Sequence, residues 1–152
     1  MPLRVPRPQV RLWLLIALVA FAALAIFAMM PVRPGFVDLK EGTGPAVAAG
    51  DTVDVHYVGR LGGTQLSDWL GLGKEFDSSR GRNAPFTFPV GASQVIRGWD
   101  LGMVGVKAGG IRKLVIPSAE AYGSKGVPPV IPPSSTLIFE VEVLEIHAKP
   151  GK

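Results

Sequence analysis

Beyond the N-terminal apolar run, Gln94–Gly105 is the stretch with helical spacing of large apolar residues. Ile96, Trp99 and Met103 recur at i, i+3 and i+7, which places them on one face. Gly98 and Gly102 stand four apart and make a second, small face. A glycine inside a helix costs about 1 kcal/mol relative to alanine. Two in one short helix imply that another backbone, or a ligand, comes close.

Everything around this stretch alternates with the period of a strand. In Thr52–Val58, Val53, Val55 and Tyr57 face one way, Asp54 and His56 the other. Lys74–Asp77, Phe86–Phe88, Ile111–Ile116 and Thr136–Ile146 read as further strands. In the last, Leu137, Phe139, Val141 and Val143 share a side, and Glu140, Glu142 and Glu145 lie near the other. Such strands have one wet and one buried face. Val53, Val55, Tyr57, Phe76, Phe86, Phe88, Leu114, Ile116, Phe139 and Val141 must bury against something, and the Trp99 helix is the candidate. The expected fold is therefore an antiparallel sheet wrapped over one short helix, in a domain spanning 51–147. Residues 32–50 read as linker and first strand, Gly62–Gly73 as an extended hairpin connection carrying exposed apolar groups, Ala119–Ser135 as a Pro/Gly loop, and 148–152 as a tail.

The N-terminus has a different logic. Residues 1–11 are basic, and Leu12–Met30 is nineteen apolar residues without a break. At 1.5 Å per residue such a helix is roughly 30 Å long, the thickness of a hydrocarbon core. Trp13 has interfacial depth, Pro31 and Pro34 would stop the helix, and the preceding positive charge would keep residues 1–11 cytoplasmic. The reading is a transmembrane signal anchor over 12–31, with the domain on the extracytoplasmic, periplasmic side. The competing reading is a signal peptide cleaved after Ala23-Leu24-Ala25, which would release the domain.

Composition closes several routes. The net charge of +4 reflects Arg4, Arg7, Arg11 and Arg33; the other twelve Lys/Arg balance the twelve Asp/Glu, so nucleic acid is not an expected partner. With no cysteine there is no disulfide, thiolate nucleophile or Cys-based metal site. His56 and His147 are the only histidines, and neither has a carboxylate cluster at ligand spacing along the chain. Gly71-Leu72-Gly73-Lys74 lacks the spacing of a phosphate loop. Ser78, Ser79 and Ser118 have no evident base. What remains is aromatic: Tyr57, Phe76, Phe86, Trp99, Tyr122 and Phe139, with Asp77 beside Phe76. A concave apolar site with few polar groups suits an apolar ligand or chain segment. Two hydroxyls and a carboxylate are poor core material unless paired.

These residues carry a resemblance. Val55-His56-Tyr57-Val58-Gly59, Phe76-Asp77-Ser78-Ser79, Val95-Ile96-Arg97-Gly98-Trp99, Ala121-Tyr122-Gly123, Val130-Ile131-Pro132-Pro133 and Leu137-Ile138-Phe139-Glu140-Val141-Glu142 occur in the order found in FKBP-type peptidyl-prolyl isomerases. The chain resembles that family over about 36–147. The resemblance implies an α+β fold, five or six antiparallel strands curved over the helix, with a shallow pocket between. It implies Trp99 as pocket floor, and Tyr57, Phe76, Phe86, Val95, Ile96, Ile131 and Phe139 as walls. Asp77, Tyr122 and Tyr57 would be the catalytic groups, the Ile96 amide a donor, and Arg82 a partner for Asp77. It implies acceleration of X-Pro isomerisation during folding, without cofactor or metal, on proline-containing polypeptides, and inhibition by tacrolimus-type macrolides. The alternative is a chaperone-like module that holds unfolded or proline-bearing segments, with incidental catalysis. Two departures bear on substrate choice: the long Gly62–Gly73 connection with Trp69, and the apolar Val127-Pro128-Pro129 loop.

The mass of the mature protein, from membrane and soluble fractions alike, separates anchor from signal peptide. The anchor reading expects a chain that retains residues 1–25; a species beginning at Ile26 establishes cleavage.

Overall fold

This computed structural model describes residues 8–29, 35–63 and 65–150. In chain order the elements are α1 (Pro8–Met29), β1 (Gly35–Lys40), β2 (Thr43–Ala46), β3 (Thr52–Leu61), α2 (Gln65–Leu70), β4 (Glu75–Ser78) and β5 (Phe86–Pro89). Then come α3 (Arg97–Gly102), β6 (Lys107–Ala108), β7 (Ile111–Ile116), a 3-10 turn at Ser118–Glu120 and β8 (Leu137–His147). The main sheet is six-stranded and antiparallel, in the order β1-β7-β8-β3-β4, with β5 pairing the other half of β3. β2 and β6 form a separate two-stranded ribbon.

The alternation read from the sequence is the alternation seen. Val53, Val55 and Tyr57 of β3 and Leu137, Phe139, Val141 and Val143 of β8 are buried, and Leu114 and Ile116 join them from β7. A bulge interrupts β8: Asp54 pairs Glu145, but Val55 pairs Val143. The extra residue, Leu144, reverses the parity, so Glu145 joins the wet face that strict alternation would deny it.

α3 packs on β7 through its glycines. A Cβ on Gly98 would lie 2.4 Å from Ile116 Cγ2, and one on Gly102 would lie 2.6 Å from Leu114 Cδ2. Both are thus explained by close approach of the sheet. The helix is shorter than the expected 94–105. Ile96 is extended (φ −58°, ψ 146°), and its carbonyl accepts the Trp99 and Asp100 N–H groups as the first turn starts. Gly105, at φ +87°, lies beyond the helical residues. Trp99 is 3% exposed in the core, and its Nε1–H has no partner among the described residues.

The first strand expected within 32–50 is β1, which closes one edge of the sheet, and β2 in the same stretch pairs β6. What fixes β1 is a contact that no pattern along the chain announces. Arg112 of β7 is buried, and its Nε and Nη2 donate to the two Asp38 oxygens at 2.5 and 2.9 Å. Its Nη1 donates to the Gly102 and Val104 carbonyls at 2.8 and 2.9 Å, and its guanidinium lies 3.9 Å above the Phe36 ring. One side chain thus ties β1 to the C-terminal end of α3, satisfying carbonyls that a helix end leaves open.

One further expectation needs correction: Gly62–Gly73 is not an extended hairpin connection, since Gln65–Leu70 is helical. Asp68 explains this: it is buried, and its Oδ1 accepts the Gly63 N–H at 2.6 Å, drawing the segment into a turn. The Trp69 side chain lies outside the described residues.

α1 is a 22-residue helix, and its described side chains Leu12–Ala23 are all exposed. Counted over described residues, no helix is long and apolar enough to cross a membrane. Residues 1–7 and the helix-stopping Pro31 and Pro34 lie outside the described residues.

Gly98→Ala should lower unfolding free energy by about 2 kcal/mol in denaturant titrations. Overpacking against Ile116 costs up to about 3 kcal/mol, and the helix regains about 1. An unchanged midpoint would show that the contact is slack.

Candidate active site

β3, β4, β5, β8 and α3 converge on a cleft of about 440 Å³. Tyr57, Phe76, Phe86, Trp99 and Phe139 form its aromatic lining, with Val95, Ile96, Asp77 and Tyr122. The rings meet edge to face. Trp99 stands 5.1 Å from Phe139 at 90° and 5.2 Å from Tyr57 at 84°; Phe76 stands 5.6 Å from Phe139 at 86°. Such contacts add about 0.5–1.5 kcal/mol each beyond area burial, and they hold a cage of fixed shape. Gly59 permits it: a Cβ there would sit 2.8 Å from both Phe76 Cζ and Phe139 Cε1. Phe86 and Phe88 share one face of β5, and position along the strand divides cleft from core. In β5, Phe88 is buried while Phe86, stacked on it at 5.5 Å, is 38% exposed at the rim.

The polar groups gather on one wall. The Tyr57 hydroxyl donates to Asp77 Oδ2 at 2.5 Å. Arg82 donates from Nη1 to Asp77 Oδ1 at 2.5 Å and from Nη2 to the Tyr57 oxygen at 2.8 Å. The Ser78 N–H completes the carboxylate at 2.8 Å. Burial pushes the Asp77 carboxyl up, but the Tyr57 and Arg82 hydrogen bonds, the Arg82 charge and the Ser78 N–H outweigh it and hold it below its ordinary range. Burial and the bond to Asp77 push the Tyr57 phenol up, with Arg82 opposing. At neutral pH the wall is a carboxylate, a neutral phenol and a guanidinium.

Ser79 anchors this wall from behind. It is fully buried, its Oγ accepts the Tyr57 N–H at 2.8 Å, and its N–H donates to the Tyr57 carbonyl at 3.1 Å. His56 Nδ1 lies 3.0 Å from the same Oγ. A serine and a histidine do meet, but the serine is sealed from any substrate and works as a brace.

Of the expected site residues, Tyr57, Phe76, Asp77, Phe86, Val95, Ile96, Trp99, Tyr122 and Phe139 are brought together. Ile131 is not among the lining residues. It is 5% exposed in the core, and its backbone exchanges hydrogen bonds with Val127, which folds the loop back. Sequence reasoning missed Ser93, Gln94 and Ala121, which also line the cleft. The available signal was Asp100, whose carboxylate accepts the Gly91 and Ser93 N–H groups at 2.8 and 2.9 Å and so fixes the turn before Val95.

Spacing along the chain also concealed a second cluster. Cross-strand pairing brings Asp54, Glu145 and His147 together, with one ligand atom of each within 4.8 Å of the others. His147 Nε2 is 2.8 Å from Asp54, and Nδ1 is 4.0 Å from Glu145. Both ring nitrogens therefore face carboxylates, the arrangement of an exposed ion pair.

The family model described as FKBP-type peptidyl-prolyl cis-trans isomerase matches residues 44–144. The chain belongs to this family. An FK506-binding protein of Neisseria meningitidis serogroup A is 48% identical over 110 residues, which are 72% of this chain and 93% of that one. FK506-binding protein 4 of Dictyostelium discoideum is 47% identical over 115 residues, 76% of this chain but 29% of its own. The crystal structure of FkpA from Escherichia coli superposes with a TM-score of 0.63 at 43% identity, covering 76% of this chain and 48% of that one. FK506-binding proteins of the FKBP family are peptidyl-prolyl cis-trans isomerases.

The titrations have a sign. Asp77, depressed when folded, stabilises the wall above the free carboxylate value of about 3.9 and loses this as pH falls through its lower folded value. Tyr57, raised, contributes fully below about 10 and loses this as pH rises through its higher folded value. The isomerase kcat/KM of this FKBP domain should therefore be flat from about pH 5 to 9. A midpoint inside that range would mean that another group controls the cleft.

Proposed function

We propose that the chain catalyses X-Pro isomerisation in the Trp99 cleft, on polypeptides folding outside the cytoplasm, while tethered by Leu12–Met30. The observation that carries the reading is an aromatic cage with one ordered polar wall, Tyr57–Asp77–Arg82. Isomerisation crosses a barrier of about 18–20 kcal/mol because twisting the amide removes its resonance. That chemistry needs no nucleophile. It needs the planar, more dipolar amide taken from water and its neighbours held in register.

In this reading the proline ring lies on the Trp99 indole between Phe76, Phe86 and Phe139. The Ile96 N–H, which has no acceptor among the described residues, receives one substrate carbonyl, and the Tyr122 hydroxyl at the open rim holds another. Asp77 orients Tyr57 and Arg82 and supplies a fixed negative charge beside the twisting bond. In the loop after Tyr122, the exposed apolar side chains of Val127 and Val130 select an apolar residue before proline. The same cage suits a tacrolimus-type macrolide, as the names of the FK506-binding relatives suggest. Support for the tether comes from the helical backbone of α1, its exposed apolar side chains and the basic residues before it.

The test is the isomerisation rate of short X-Pro peptides with and without the macrolide. Acceleration abolished by the macrolide supports the reading, and no acceleration at micromolar enzyme overturns it. Asp77→Ala should lower kcat/KM at least about tenfold, 1.4 kcal/mol of transition-state free energy, with unchanged far-UV circular dichroism. An undiminished rate would reduce Asp77 to a structural group.

A further inference from the structure

The 62–73 segment has no part in the cleft, and it lies on the opposite face of the sheet. Leu114 and Ile116 of β7 point to α3, so Lys113 between them points away. Gly71 stands against Lys113, whose Nζ would be 3.8 Å from a Cβ there; burial holds the Lys113 ammonium below its ordinary range, against the opposing charges of Glu140 and Asp68. α2 and the turn after it therefore cover the outer face.

The surface they present has an unusual composition. Asp68 is the only charged residue from Gly62 to Gly73, and it is buried. Leu70 is 51% and Leu72 71% exposed. Beside them, Val37 of β1 shares the Lys113 face by direct pairing and is itself 53% exposed. An uncharged loop with protruding leucines beside an apolar edge strand is costly to leave in water.

Two observations select the occupant. α2 contacts α1, whose apolar side chains are exposed. β1 begins six residues after α1 ends at Met29, so the intervening chain reaches at most about 22 Å. An α1 helix in a bilayer therefore holds the start of β1 close to the lipid surface.

We propose that the 62–73 segment is a lipid-contacting foot. Leu70 and Leu72, with Val37, enter the boundary between headgroups and acyl chains beside α1, which turns the α2 side of the domain to the membrane. The cleft, on the other face, then opens towards water, where extended polypeptides are available. The inference rests on the tether proposed above and goes beyond it in assigning a second contact and an orientation.

The absence of native cysteine makes the test direct. Full-length Leu72→Cys, Leu18→Cys and Lys125→Cys variants carry an environment-sensitive fluorophore and are reconstituted in phosphatidylcholine–phosphatidylglycerol vesicles containing brominated lipid. Leu72 and Lys125 are both exposed and outside the cleft, so isomerase activity checks folding. The foot predicts quenching at 72 several-fold above that at 125, together with strong quenching at 18. Quenching at 18 with 72 equal to 125 overturns the foot and leaves the tether standing. No quenching at 18 overturns the tether, and the foot with it. Protection at 72 that requires added unfolded polypeptide, or fluorophore self-quenching between copies, overturns the lipid assignment in favour of a client or a second chain.

Discussion

The closeness of α3 to β7 is the contact on which the rest depends. Because Gly98 and Gly102 carry no side chain, Ile116 and Leu114 reach the helix backbone, and Trp99, on the adjacent face, sinks into the sheet's concavity. The indole then has two roles at once. Its underside belongs to the core with Phe88 at 5.3 Å, and its ring forms the floor on which Tyr57 and Phe139 stand edge-on. A buried indole N–H without a partner costs about 1–3 kcal/mol. That cost is tolerated where a large flat apolar surface is needed at a fixed height.

Position in the cleft is secured from outside it. Arg112 holds the C-terminal end of α3 to Asp38, Asp100 holds the turn before Val95, and Ser79 holds the backbone beneath Tyr57. None of these three groups lines the cleft; each acts through the backbone it restrains. A site whose chemistry is desolvation and orientation has little else to be exact about, so its precision lies in these braces.

What was legible in the sequence follows the period-2 and i, i+3 patterns. β3, β7 and β8 were evident because one face of each is wet, and Trp99 because it had no other partner for those strands. The short helix end was misread because Val95 and Ile96 are apolar whether extended or helical, and only the backbone at Ile96 decides between them. Where β1 begins and ends within 32–50 was not legible because Phe36, Val37 and Leu39 remain half exposed, with no buried alternation to mark the strand. Arg112 was invisible for the opposite reason: a charged residue in a strand reads as solvent-facing, and its guanidinium finds Asp38 and the Gly102 and Val104 carbonyls only in the assembled fold. Among site residues, the aromatics and Asp77 were recognised through their motifs. Ser93, Gln94 and Ala121 line the cleft through loop geometry, which side-chain chemistry does not announce. The Asp54–Glu145–His147 group arises from strand pairing and a bulge, and neither is visible along the chain.

The central claim is that the face of α3 packed into the sheet is also where the proline binds. A 15N-edited NMR titration with a short X-Pro peptide reads this residue by residue. The account predicts the largest shifts at the Trp99 indole N–H and the Ile96 and Tyr122 amides, with the α2 amides unmoved. Shifts confined to residues 62–73 or to the outer face of the sheet, with Trp99 silent, would contradict it.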